Sequence, residues 1–192
     1  MAITAWVETR RALAGALRLA RGDPGGMAYF EPTIDGFWHS FRAALLCYPL
    51  YLILLSFPLK LGDEPPLAIE EWRLLTLETI HYVISWVAFP LLMLPLIHRL
   101  GRGNRFLAFM VAYNWCQVPQ TVVFAVIALL GATGLVSANT VLAADLTVGL
   151  AMLVYEWFVA RVALATSIGA VLVILADLAL ATVLSHITLA LY

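Results

Sequence analysis

Five long apolar stretches constrain this chain more than any other feature. They cover residues 40–58, 75–97, 106–130, 138–160 and 166–190. Each supplies the roughly 20 residues that an α-helix, rising about 1.5 Å per residue, needs to cross about 30 Å of hydrocarbon. Lipid offers no partner for backbone N–H and C=O groups, so such stretches must be helices or strands of a closed barrel. The alternating pattern of barrel strands does not occur here, which leaves helices. The expected fold class is all-α: a polytopic transmembrane helical bundle of five spans, preceded by an N-terminal interfacial or cytosolic helix.

Composition agrees with this reading. Of 192 residues, 63% are hydrophobic and 12% charged, where a soluble domain carries about 25% charged residues. Mean hydropathy is +0.94. So little charge cannot cover a surface in water, and the lipid bilayer is the expected partner of most of it. The net charge is -1 and the 11 Lys and Arg are scattered, which speaks against a phosphate-binding stripe and a nucleic-acid partner. Cys47 and Cys116 lie inside apolar stretches and read as small hydrophobes, not as a disulfide or metal pair. Arg10, Arg11, Arg18 and Arg21 interrupt the first segment, so no secretory signal peptide is expected there.

Residues 1–37 read as a cytosolic or interfacial segment and residues 38–192 as the transmembrane domain. Residues 2–21 favour a helix, with Trp6, Leu13 and Leu17 as its apolar face. The run Arg21-Gly-Asp-Pro-Gly-Gly26 breaks it. Tyr29, Phe30, Phe37, Trp38 and Phe41 suit the headgroup layer. Arginine is concentrated in the N-terminal segment and between His98 and Arg105, whereas the connection 59–74 is acidic and the one at Gly131–Asn139 uncharged. The positive-inside rule then predicts a cytoplasmic N-terminus and a periplasmic C-terminus. The second half of 59–74, from Leu67 to Arg73, is expected to form a short surface helix with Trp72 at the interface.

An ionisable side chain at the centre of a span costs about 2.5–3.5 kcal/mol on insertion scales, so such groups should face the bundle interior. In the second span Glu78, His81, Tyr82 and Ser85 share one face. In the third, Asn114, Gln117 and Thr121 form a stripe with Gln120 beside it. In the fourth, Asp145, Gly149, Met152 and Glu156 line up, and the other side carries Ala143, Thr147 and Ala151, a small-residue ladder that lets another helix approach. Asp177 lies near mid-depth in the fifth, with His186 on the opposite face. Arg42 and Glu156, both near the cytosolic ends of their spans, are expected to pair. The candidate polar intramembrane residues are therefore Glu78, His81, Asn114, Gln117, Asp145, Glu156 and Asp177.

Glu78-Thr-Ile-His81 has the ligand spacing of di-metal sites in helical bundles. No second such motif accompanies it, so no metal, cofactor or catalytic residue is assigned. No phosphate loop, nucleophile elbow or His-Glu-x-x-His motif occurs either.

Five spans after a cytosolic segment resemble the Yip1-type membrane-protein family. The stretch Asn104-Arg-Phe-Leu-Ala-Phe-Met-Val-Ala-Tyr113, running on to Pro119, is similar to that family's third helix: a basic turn leads into small residues, a Tyr and then a Pro. The resemblance implies a trafficking-type role, since the eukaryotic members are linked to vesicle traffic and small GTPases; it implies no catalytic residue. Met27 to Phe41 also resembles a segment of uncharacterised bacterial inner-membrane proteins, which implies that location.

Three functions remain open at this level. The leading expectation is a non-enzymatic scaffold or accessory subunit of a membrane assembly, with a membrane-protein partner or a second copy. The alternative is a small transporter or channel using a polar path through Glu78, His81, Asn114, Gln117, Asp145 and Asp177. The third is an intramembrane enzyme built on Glu78 and His81. Convergence of the polar stripes on a cavity favours transport; dry, paired contacts favour a scaffold.

Overall fold

The helix ends are marked by side-chain oxygens that can accept from free backbone N–H groups. Thr33, Ser137 and Thr166 accept from the backbone N–H of Gly36, Thr140 and Gly169, respectively. Asp23 accepts from Gly25 N–H at the start of a short 3-10 turn, Pro24–Tyr29. Gly101 and Gly134, with φ of 70° and 69°, and Ala165, with φ of 51°, take the left-handed conformation that ends helices.

In the computed structural model, which describes residues 2–56 and 70–192, these signals bound α1 (Ala2–Ala20), α2 (Ile34–Ser40), α3 (Arg42–Ser56), α4 (Glu71–Arg99), α5 (Phe106–Ala132), α6 (Ala138–Leu164) and α7 (Ser167–Leu189). No strand occurs among the described residues. Five helical units are long and apolar enough to cross a membrane: Ile34–Ser56, which joins α2 to α3, then α4, Gly103–Ala132, α6 and α7. They have 23 to 30 residues and mean hydropathies of 1.3 to 2.4. The described residues are thus all-helical, with five helices among them that fit a membrane protein by length and composition.

Two boundaries differ from the sequence reading. Trp72 and Arg73 belong to the first turns of α4 instead of a separate surface helix; the rest of that expected helix lies outside the described residues, as do residues 57 and 58 of the first span. The first span also starts earlier, because the Thr33 cap sets its N-terminus at Ile34.

The membrane helices form a ring in the order α3, α5, α6, α7, α4. Hydrogen bonds close it between α4 and α3: the Tyr82 hydroxyl donates to the Ala44 carbonyl (2.6 Å), and Tyr48 and Thr79 hydroxyls share a bond of 2.9 Å. The chain's N-terminal helix packs against one end of this ring, on α5 and α6. Thr9, Ala12, Ala16 and Leu19 form its buried stripe. The Tyr155 hydroxyl of α6 donates to the Ala16 carbonyl (2.8 Å).

This packed stripe is not the Trp6/Leu13/Leu17 face that the sequence suggests: Trp6 and Leu17 are exposed. Small side chains let two helix backbones approach closely, and that geometry outweighs side-chain hydrophobicity where helices meet. The same fold-back brings Glu8 to Arg42. The Arg42 guanidinium donates to Glu8 (2.8 Å) and not to Glu156, and His39 lies 3.3 Å from the same carboxylate oxygen. At the end of α1 the Arg18 guanidinium donates to Asp23 (2.7 Å), and that bond holds the Asp23 carboxyl below its usual range.

Gly15 of α1 and Gly26 of the 3-10 turn cross with almost no space between their backbones. A Cβ on Gly26 would lie 2.6 Å from the Gly15 carbonyl oxygen and 3.0 Å from the Leu19 nitrogen. Both are backbone atoms and cannot rotate away. Gly26→Val is therefore expected to lower stability by about 1–3 kcal/mol, measured by reversible unfolding in mixed detergent–SDS micelles. Gly149→Ala, whose Cβ meets open space, should be neutral or slightly stabilising in the same assay.

Candidate intramembrane cavity

The buried core is concentrated in the half of the ring nearest α1. Phe89, Met93 and Ile97 of α4 meet Phe109, Met110 and Tyr113 of α5, together with Ala160 and Leu164 of α6 and Val173 of α7. Phe89 stacks on Tyr113 with centroids 4.1 Å apart and planes 16° apart. Beyond this floor the helices line an open cavity of about 470 Å³. By helix register it begins near mid-depth, at Glu156, Asp177 and Tyr113, and extends away from α1 to His81, Leu54 and Leu184.

Spans two to five each supply polar side chains to it. From α5 come Asn114, Gln117 and Gln120; from α6, Glu156; from α7, Asp177; from α4, His81. Asn114 is anchored: its Nδ2 donates to Ser40 Oγ (2.8 Å), which in turn donates to the Phe37 carbonyl (2.6 Å), tying α5 to α2. Asp177 accepts from the Tyr113 hydroxyl (2.7 Å). The Glu156 carboxylate faces Asp177 and the amides of Gln117 and Gln120. Gln120 is only 4% exposed, and its Nε2 has no hydrogen-bond partner among the described residues. His81 Nδ1 lies 2.8 Å from the Thr188 hydroxyl at the rim.

Of the residues singled out by sequence, His81, Asn114, Gln117, Glu156 and Asp177 line this one space. Glu78 does not. It sits one turn before His81 and accepts from the hydroxyls of Tyr51 and Tyr192. Asp145 is half-buried on α6, outside the cavity lining, although Gly149, Met152 and Glu156 of the same stripe do line it. Glu78 and His81 engage separate partners, and among the described residues no group of three or more His, Cys, Asp and Glu could hold a metal ion.

Sequence reasoning missed Tyr113 as the partner of Asp177, and it set Gln120 beside the stripe. Tyr113, Gln117 and Gln120 follow at helical spacing of four and three, a second stripe sharing Gln117, and that spacing was the available signal. Tyr51 and Trp86, which flank Tyr82 in an aromatic wall, were also missed. The three rings are 4.9 Å and 6.1 Å apart in succession.

No protein-family model, curated protein or solved structure matches the chain. The likeness to Yip1-type proteins gains no support there, and function has to be read from the cavity.

Proposed function

We propose that this chain is a membrane protein that binds a small polar solute inside the bilayer and moves it across, as a small transporter or channel. The observation that supports this is the convergence of two carboxylates and three amides on one space that none of the described residues fills. Interhelical hydrogen bonds contribute only about 0.6 kcal/mol on average. Buried carboxylates and an orphan amide each cost about 1–3 kcal/mol or more. A bundle selected only for packing has no reason to retain them; a binding site does.

Arginine distribution supports an orientation for this path. Every Arg except Arg73 lies at the α1 end of the bundle, which fits a cytoplasmic α1 end and a cavity extending toward the outer face of a bacterial inner membrane. In that orientation the exposed Trp6 and Leu17 of α1 suit the headgroup layer.

Thiol labelling tests the proposal. In a Cys47→Ala/Cys116→Ala background, Met152→Cys and Leu180→Cys, both at lining positions, should react in membranes with hydroxyethyl methanethiosulfonate. Leu135→Cys, 88% exposed in the α5–α6 connection, sets the fast reference, and Ala163→Cys, 2% exposed in the floor, the slow one. Cavity positions as inert as Ala163→Cys would mean a dry interior and remove the transport reading.

One observation favours a scaffold as a second reading. Ala143, Thr147 and Ala151 all lie on the exposed side of α6, where a small-residue ladder gives a partner helix or a second copy close approach.

A further inference from the structure

We infer that the cavity takes a small organic cation: an ammonium or guanidinium group between Glu156 and Asp177, against aromatic faces, in a molecule whose oxygen accepts from Gln120. This rests on the solute-binding reading and names its substrate class.

Charge is the first ground. Glu156 and Asp177 line the cavity, and no Lys or Arg does among the described residues. Neither acid belongs to an ion pair among the described residues. The one basic lining group among the described residues, His81, sits at the rim against Thr188. Away from water such a pair of acids attracts a cation far more strongly than at a wet surface, and it repels an anion.

The second ground is an unmet hydrogen bond. Asp177 already receives the Tyr113 hydroxyl, but the Gln120 Nε2 is buried without an acceptor. Buried polar groups are almost always paired, so an orphan donor lining an open space points to an acceptor carried in by the ligand. A wholly apolar molecule would leave this donor without an acceptor.

Size and walls are the third. About 470 Å³ falls within the roughly 300–1,000 Å³ of small-molecule sites. A bare metal ion, held by oxygens at about 2.0–2.6 Å, would leave most of it empty. Tyr82, Trp86 and Tyr113 offer rings to the space, and aromatic faces attract organic cations through their quadrupoles.

The Met152→Cys labelling reports occupancy. The probes are choline, ethanolamine and 2-hydroxyethylguanidinium; the controls are choline's uncharged tert-butyl isostere and acetate. At least one cation should slow labelling saturably while neither control does. Glu156→Gln should raise the half-protecting concentration by about tenfold or more, as for loss of a hydrogen bond to a charged group, and Glu156→Asp should recover part of it. Asp177→Asn is the second variant, should Glu156→Gln fail to elute as a single folded species. Equal protection by choline and its isostere overturns the cation assignment. So does protection by none of the three cations while Met152→Cys stays reactive; in both cases the solute-binding reading survives. Met152→Cys that is inert without any probe overturns both.

Discussion

Phe109→Ala should lower the stability of the folded bundle by about 3 kcal/mol, the low end of the range for truncating a buried aromatic. Phe109 is fully buried, with its ring 5.6 Å from Tyr113 and 6.3 Å from Phe89. Together these rings form the cavity floor between α4 and α5. The low end applies because separated helices would keep the ring in hydrocarbon, so the transfer contribution is small. What is lost is the set of van der Waals contacts with close-packed neighbours, which a void does not replace. Reversible unfolding in mixed detergent–SDS micelles measures it. Leu91→Ala, at a position 66% exposed on the same α4, should change stability by less than about 0.5 kcal/mol. Equal losses at the two positions would mean that the aromatic floor does not hold the ring together.

Glu156→Gln should act in the opposite direction and stabilise the protein by about 1–3 kcal/mol. The carboxylate faces Asp177, with no cationic side chain in an ion pair to offset it among the described residues. An amide of nearly the same shape removes the like-charge repulsion. Asp177→Asn should have a smaller effect, because the bond that Asp177 accepts from the Tyr113 hydroxyl is weaker to a neutral amide oxygen, which offsets part of the gain. The same unfolding assay compares both. A loss of stability in Glu156→Gln would assign the residue a structural role. A gain, combined with weaker protection by cations, would identify a group kept for binding at the expense of stability.

The two variants probe different parts of the architecture. The floor is a packed element near the α1 end, and its failure should loosen the whole ring. The carboxylate lies just beyond it, where packing gives way to the cavity, and its neutralisation should leave the ring intact. Measured together, they separate what holds the helices together from the cavity that the helices line.

Read from the residues alone, the five spans were legible because the bilayer imposes its demand on every residue of a spanning segment. A run of about 20 apolar residues must satisfy its own backbone, and helix is the solution. Caps such as Ser137 and Thr166 are local bonds within three residues, a signal in the sequence that the reading of the residues left unused. The polar character of α4 to α7 was legible, because an ionisable residue at mid-depth stands out against its neighbours whatever it touches. Only the tertiary structure decided which of those residues meet. It brought Asn114, Gln117, Glu156 and Asp177 to one cavity and left Asp145 outside it. It gave Arg42 to Glu8 and packed α1 through alanines instead of Leu17. The physical reason is that helices in lipid gain little from hydrophobicity on association. Their rotations and neighbours follow from the summed close packing of all the helices, which no single stretch encodes.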